Sequence, residues 1–262
     1  MIETIGYFQL EVMDDGVAIV KFCRPPVNAV SITVYENLGK LVDRCDADPA
    51  IRVIVLAAGA ESRAWCGGAD LNDFVGIDAE GRKQRYAFIN ATLPRFFRLE
   101  RPVIAAINGA AIGVGMILAA LCDMRIASED AMFACPEIDY GLVAGGAALF
   151  AQKNMPDAKI REMLFTGARF SALELEPTGF FNYVLPSNEV YDFALKLART
   201  IAGKSLPAIR ARKIASSNLE GRTWQEAYLD AQELSAGLTQ GDDGEEGVRA
   251  FLERRRANYL DL

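Results

Sequence analysis

Between Arg101 and Asp123 the chain reads RPVIAAINGAAIGVGMILAALCD, and the placing of its glycines limits what can be built there. Val103 to Ile107 is an unbroken apolar run of strand length, the pattern of a buried strand. Asn108-Gly109 closes it with a turn signal. Met116 to Leu121 has the composition and length of a helix. Gly113-Val114-Gly115 lies between them, so the backbone turns tightly just where a helix begins. N–H groups at a helix start have no intrahelical acceptor, and glycines remove the bulk around them. Such a turn can bind phosphate or stabilise an oxyanion. Glycine pairs also serve close packing of helix on strand, and a lone G-x-G does not separate the two uses.

The chain of 262 residues contains no histidine. Ser-His-Asp and Cys-His catalysis and His-ligated metals are therefore excluded, and a carboxylate is the leading candidate for acid–base work. A hydrophobic content of 51% provides a large core. No segment approaches the roughly 18 apolar residues of a membrane span. The opening MIETIGYFQLEV lacks a basic region ahead of an apolar core, so no signal peptide is expected. A net charge of −7 argues against nucleic acid as a partner. Cys23, Cys45, Cys66, Cys122 and Cys135 are scattered and odd in number, which reads as reduced thiols in a cytoplasmic protein.

The first two-thirds alternates strands and helices. Phe8–Met13 and Val17–Phe22 read as strands joined at Asp14-Asp15-Gly16, a hairpin turn. A helix follows from Thr33 to about Cys45, with Ser31 or Thr33 as its cap, then a buried strand over Arg52–Ala57. A polar helix spans about Glu80–Arg98, and Met124–Ala127 and Ala131–Phe133 are short strands. Beyond about Lys153, helices are expected at Lys159–Phe165, Ser171–Glu176, Glu189–Ala202, Pro207–Leu219, Thr223–Leu238 and Glu245–Ala257. This predicts an α/β core over residues 1–200 and a C-terminal helical region over 201–262.

Two further segments could carry chemistry. In Ala64-Trp65-Cys66-Gly67-Gly68-Ala69-Asp70-Leu71 a strand feeds a double glycine, and Asp70 can cap the next turn. Taken alone, the segment is either a tight strand-to-helix turn or a place where the Ala69 N–H meets a ligand oxygen. Cys66 has no visible base to make it a nucleophile. In Phe133-Ala134-Cys135-Pro136-Glu137 a short strand runs into proline, and Glu137 follows in an apolar setting. A glutamate there is by default a capping or surface group; held against buried apolar surface, it becomes an acid or base with a raised pKa.

Taken jointly and in order, RPPVNAVS (24–31), AWCGGADL (64–71), RPVIAAINGAAIGVG (101–115), CDMRIASEDAMFACPE (122–137) and EGVRAFLERRR (246–256) resemble the crotonase superfamily, the enoyl-CoA hydratase/isomerase family. The resemblance implies a spiral of β-β-α units with C-terminal helices that build homotrimers, often paired as hexamers. It implies an acyl-CoA thioester substrate and no cofactor beyond the coenzyme A that the substrate carries. It places the two backbone donors of an oxyanion hole at Ala69 and Val114, and a catalytic glutamate at Glu137. Coenzyme A would lie along Arg24, Val27, Ala29, Gly67, Ala69 and Asp70. Lys21, Arg24 and Arg63 are the candidate partners of its phosphates.

Hydratases of this family hold their water between two glutamates. The position of the second is Ile117 here. A water beside one carboxylate and an isoleucine has half its partners, whereas one carboxylate suffices to move a proton from C2 to C4. Isomerisation of an enoyl-CoA double bond is the expected reaction, with hydration, other enolate chemistry and non-catalytic acyl-CoA binding as alternatives. Ala144 also stands where the family's usual loop has proline. Phe74, Ile77, Tyr86 and Phe88 lie where the family sets chain-length specificity, and they serve equally well as ordinary core residues.

Overall fold

The computed structural model describes residues 1–76, 78–142 and 145–218, together with 243, 246, 249–250, 253–255 and 257–259. The chain opens with β1 (Ile2–Ile5), β2 (Phe8–Val12) and β3 (Val17–Phe22), an antiparallel meander. The hairpin turn forms at Asp15-Gly16: Gly16 has φ +80 and the Asp15 carboxylate accepts the Val17 N–H at 3.1 Å. α1 (Ile32–Ala47) follows, then β4 (Val53–Ala58), β5 (Ala64–Cys66) and α2 (Ala79–Phe97). Next come β6 (Val103–Ile107), β7 (Ala110–Ile112) and α3 (Val114–Leu121), then β8 (Met124–Ser128) and β9 (Met132–Ala134). Short elements complete the fold: α4 (Ala147–Gln152), α5 (Asp157–Thr166), β10 (Phe170–Ser171), α6 (Ala172–Leu175) and β11 (Tyr183–Leu185). α7 (Val190–Ala202) and α8 (Leu206–Asn218) end the continuous part.

Successive units repeat one pattern. The first strand of each unit, β4, β6 or β8, joins a seven-stranded sheet of order β1-β2-β3-β4-β6-β8-β11. The second, β5, β7 or β9, joins a four-stranded sheet of order β10-β9-β7-β5. This is the α/β spiral of β-β-α units. The central strands are parallel and buried on both faces, which is why VIVLAA and VIAAI read as continuous apolar runs.

Strand alternation divides the core in two. Val53, Val55, Ile104, Ala106 and Ile126 face α7, whose Val190, Ala194, Ala198 and Ala202 recur every four residues and let the helix lie close. Ile54, Leu56, Val103, Ala105 and Ile107 face the main core with α1, α3 and the smaller sheet. α8 is tied to the sheet through Lys213, whose Nζ donates to both Asp123 oxygens at 2.7 Å.

Several local expectations need correction. β1, β7, β10, β11 and α4 go beyond the sequence expectations, and α3 begins at Val114, two residues before its apolar run. Strands of three residues carry too few side chains to show alternation; they exist because neighbouring strands supply their hydrogen bonds. Ser31 occupies the N-cap of α1 but makes no capping bond. The Asp73 carboxylate accepts the Ile32 N–H instead, at 2.9 Å. The helix expected over Thr223–Leu238 lies outside the described residues; within that expected over Glu245–Ala257, residues 246 and 249–250 are helical, whereas 253–254 form a turn, 255 is a bend and 257 is irregular.

Candidate active site

β5 and β7 run parallel, with Cys66 opposite Ala111, so the chain leaves both strands at the same edge. Two glycine contacts lock these exits together. A Cβ on Gly68 would stand 3.0 Å from the Ile112 carbonyl, and Gly68 has φ +99. A Cβ on Gly115 would overlap the Cys66 carbonyl and lie 2.9 Å from Cys66 Cβ. The glycines noted in sequence are therefore needed for packing, and that packing sets Ala69 beside the start of α3.

The direction of the Ala69 N–H follows from hydrogen-bond alternation. Val30 bridges Ala69 in parallel, donating to Gly68 O at 2.7 Å and accepting from Asp70 N at 3.0 Å. The polar groups of Ala69 must point the opposite way. At the other exit, Gly113 donates to Ala134 O at 2.8 Å, and its carbonyl accepts from Met116 and Ile117 at 3.0 and 3.2 Å. Val114 is the first residue of α3, where an N–H has no intrahelical acceptor. Neither Ala69 N–H nor Val114 N–H has a hydrogen-bond acceptor among the described residues.

Glu137 sits on the 3-10 turn Pro136–Tyr140, which proline opens and Gly141, at φ +67, closes. Gly113 has φ +53 and ψ −114, a conformation reserved for glycine, and a Cβ there would lie 2.6 Å from Glu137 Oε1. Oε2 is buried without a hydrogen-bond partner. Burial pushes the Glu137 carboxyl above its usual range, opposed by its own backbone N–H. Ile117 lies one turn beyond Gly113 on α3, half-buried, and its side chain approaches Gly146, which also packs against Phe150. Asp139 does not join Glu137, because its carboxylate lies against Gly167 at the end of α5.

The expected coenzyme A residues assemble into one patch. Arg24, Val27, Ala29 and Asp70 line a single cleft with Tyr7, and Gly67 donates to Val27 O at 2.8 Å beside it. Arg24 donates to Ala29 O at 2.8 Å and to Asp70 Oδ2 at 2.6 Å, with Tyr7 5.4 Å below its guanidinium. That partnership holds the Asp70 carboxyl below its usual range, and Asp70 also caps the following 3-10 turn at Asn72. Arg63 is exposed, and Lys21 is half-buried near Cys23. Cys66 is fully buried and its thiol is pushed up to about 12, as an inert packing residue would be.

The residues expected to set chain specificity divide. Phe74 stacks under Arg82 and Arg85 at 5.1 and 4.9 Å, whereas Tyr86 and Phe88 are exposed on α2; Ile77 lies outside the described residues, as does Ala144. Sequence reasoning missed Asn28 and Asp73. Asp73 accepts from both Ile32 N and Arg85, tying the turn after Asp70 to α1 and α2. A carboxylate three residues after Asp70 carried no signal of that in sequence.

Residues 13–261 match the family model for enoyl-CoA hydratase/isomerase. A carnitinyl-CoA dehydratase of Proteus mirabilis is 35% identical over 244 residues, covering 90% of this chain and 92% of that protein. A 2,3-dehydroadipyl-CoA hydratase of Escherichia coli is 30% identical, covering 88% and 90%. The crystal structure of an enoyl-CoA hydratase of Mycobacterium smegmatis superposes with a TM-score of 0.91 at 28% identity, covering 97% and 99%.

Proposed function

Because the chain belongs to the enoyl-CoA hydratase/isomerase family of crotonase-type enzymes, we propose that it shifts a double bond in an enoyl-CoA thioester, from the 3- to the 2-position. The observation that carries this reading is the half-buried carboxylate of Glu137, its Oε2 unpartnered among the described residues and its Oε1 set against Gly113, while α3 presents apolar Ile117 one turn beyond that glycine. The N–H groups of Ala69 and Val114 hold the thioester oxygen. Ionised Glu137 removes a proton from C2, and negative charge moves onto that oxygen as a dienolate. Two preorganised backbone donors favour this state, each worth about 3–4 kcal/mol in comparable sites. The same carboxyl then returns its proton to C4, and the double bond comes to rest between C2 and C3. Nothing is consumed, and no cofactor is needed beyond the coenzyme A of the substrate.

The cleft lined by Arg24, Val27, Ala29 and Asp70 receives the coenzyme A portion, next to Gly67 and Ala69. The C-terminal helices assemble homotrimers or pairs of trimers. The five free cysteines, four of them buried, suit a reducing cytoplasm, and no helix among the described residues is long and apolar enough to cross a membrane.

Hydration is the second reading, favoured by relatives named hydratases and a dehydratase. Purified protein incubated separately with trans-3-enoyl-CoA and trans-2-enoyl-CoA, followed by ultraviolet absorption and mass spectrometry, separates the two. Conversion of the 3-enoyl to the 2-enoyl ester at constant mass supports isomerisation. A mass gain of one water would replace it with hydration.

A further inference from the structure

We infer that Asn28 is a positioning residue of the oxyanion hole: its buried amide sews the loop 24–30 to β5 in the register that turns the Ala69 N–H toward the substrate. The inference rests on the proposed role of Ala69. It starts from a side chain that is fully buried, polar and at φ +54, three properties seldom combined without a reason.

Every hydrogen-bonding group of that side chain is engaged. Oδ1 accepts the Arg24 N–H at 2.8 Å and the Ser62 hydroxyl at 2.8 Å. Nδ2 lies 3.0 Å from Phe22 O and 3.2 Å from both Ala64 O and Trp65 O. Two amide protons meet three carbonyls, so one proton is shared, and only a donor can face all three. Asn28 thus joins the end of β3, two residues of β5 and the loop between β4 and β5.

The loop continues this seam in the backbone. Arg63 donates to Pro26 O and Gly67 to Val27 O, both at 2.8 Å, before Val30 bridges Ala69. Alternation makes the register decisive. A slip of one residue would turn the Ala69 N–H back toward the loop and present a carbonyl in its place. Asn28 sits between the Val27 and Val30 contacts and ties them to β5. Donors that wander by an ångström forfeit most of their effect on a developing oxyanion.

The test uses Asn28→Asp, which keeps shape but sets an acceptor against three carbonyls, and Asn28→Gly, which keeps the positive φ and removes the amide. The probe is hexanoyl-CoA isotope-labelled at its thioester carbonyl, a saturated ester with no double bond to move. Difference infrared spectroscopy reads how far binding lowers its carbonyl stretch. In the parent protein the stretch falls. In both variants most of that shift disappears and kcat drops about 100-fold. A folded Asn28→Asp that keeps both the shift and kcat overturns the inference. If neither variant folds, Ser62→Ala carries the test, since it removes one of two donors to Oδ1. A partial loss of the shift with binding intact is then expected, and an unchanged shift overturns the inference. Absence of any shift in the parent protein overturns the oxyanion-hole reading itself, a distinct failure.

Discussion

The Glu137 carboxylate fills the space that a side chain at residue 113 would need: Oε1 stands 2.6 Å from where a Cβ on Gly113 would be. One glycine therefore does two jobs. It takes up φ +53 and ψ −114, which turns the chain into α3, and it leaves room for the acid–base group beside the first free N–H of that helix.

Gly113→Ala tests this juxtaposition. The new methyl meets a forbidden backbone conformation, worth about 1–3 kcal/mol, and displaces the carboxylate. A lower melting temperature and a loss of kcat of about 100-fold are expected in thermal denaturation and steady-state assays. Full activity would show that Glu137 and Gly113 are not held in this relation.

Glu137→Gln separates stability from function. Burial raises the native pKa of Glu137 above its unfolded value, so the folded state favours the neutral carboxyl. Its contribution is fully present below the unfolded pKa and is lost as pH rises through the raised native one. At neutral pH the ionised group thus destabilises the fold, and the neutral glutamine relieves it. The variant should melt higher than the parent near about pH 8, with the gap closing toward about pH 4. Turnover should fall about 100- to 10,000-fold. A variant that melts lower at every pH would contradict the burial argument.

Ile117→Glu adds a carboxylate one turn along α3 from Gly113. Water held between two carboxylates should then add to trans-2-enoyl-CoA, read as a mass gain, at the expense of isomerisation. The new group is half-buried near Gly146 and Phe150, so a stability loss of about 1–3 kcal/mol accompanies it. A variant with the parent's product ratio would remove Ile117 as the reason for single-carboxylate chemistry.

Lys213→Met probes the attachment of α8. Lys213 is 4% exposed and donates to both oxygens of Asp123, whose Oδ2 also accepts the Val103 N–H at 2.8 Å. Removing the ammonium leaves a partly buried carboxylate short of partners, at a cost of about 2–3 kcal/mol, below that of a fully buried pair. Denaturant unfolding should show this loss, and adding Asp123→Asn should recover part of it. Additive losses would mean the pair is not coupled.

The buried parallel strands were legible in the sequence because a strand covered on both faces leaves a continuous apolar run, as in VIAAI. So was the helix α7, expected over Glu189–Ala202. The glycine turns at 67–68 and 113–115, the Pro136-Glu137 step and the absence of histidine narrowed the chemistry to backbone donors and a carboxylate. These are local properties, written in consecutive residues. Tertiary structure decided the rest. Which way the Ala69 N–H points depends on a register set by Val30 and Asn28, some forty residues earlier. The capping of α1 by Asp73 instead of Ser31, and the meeting of Glu137 with Gly113, likewise join residues far apart in the chain. Side-chain type and spacing state what a segment can do by itself; only packing decides which of its polar groups are left free.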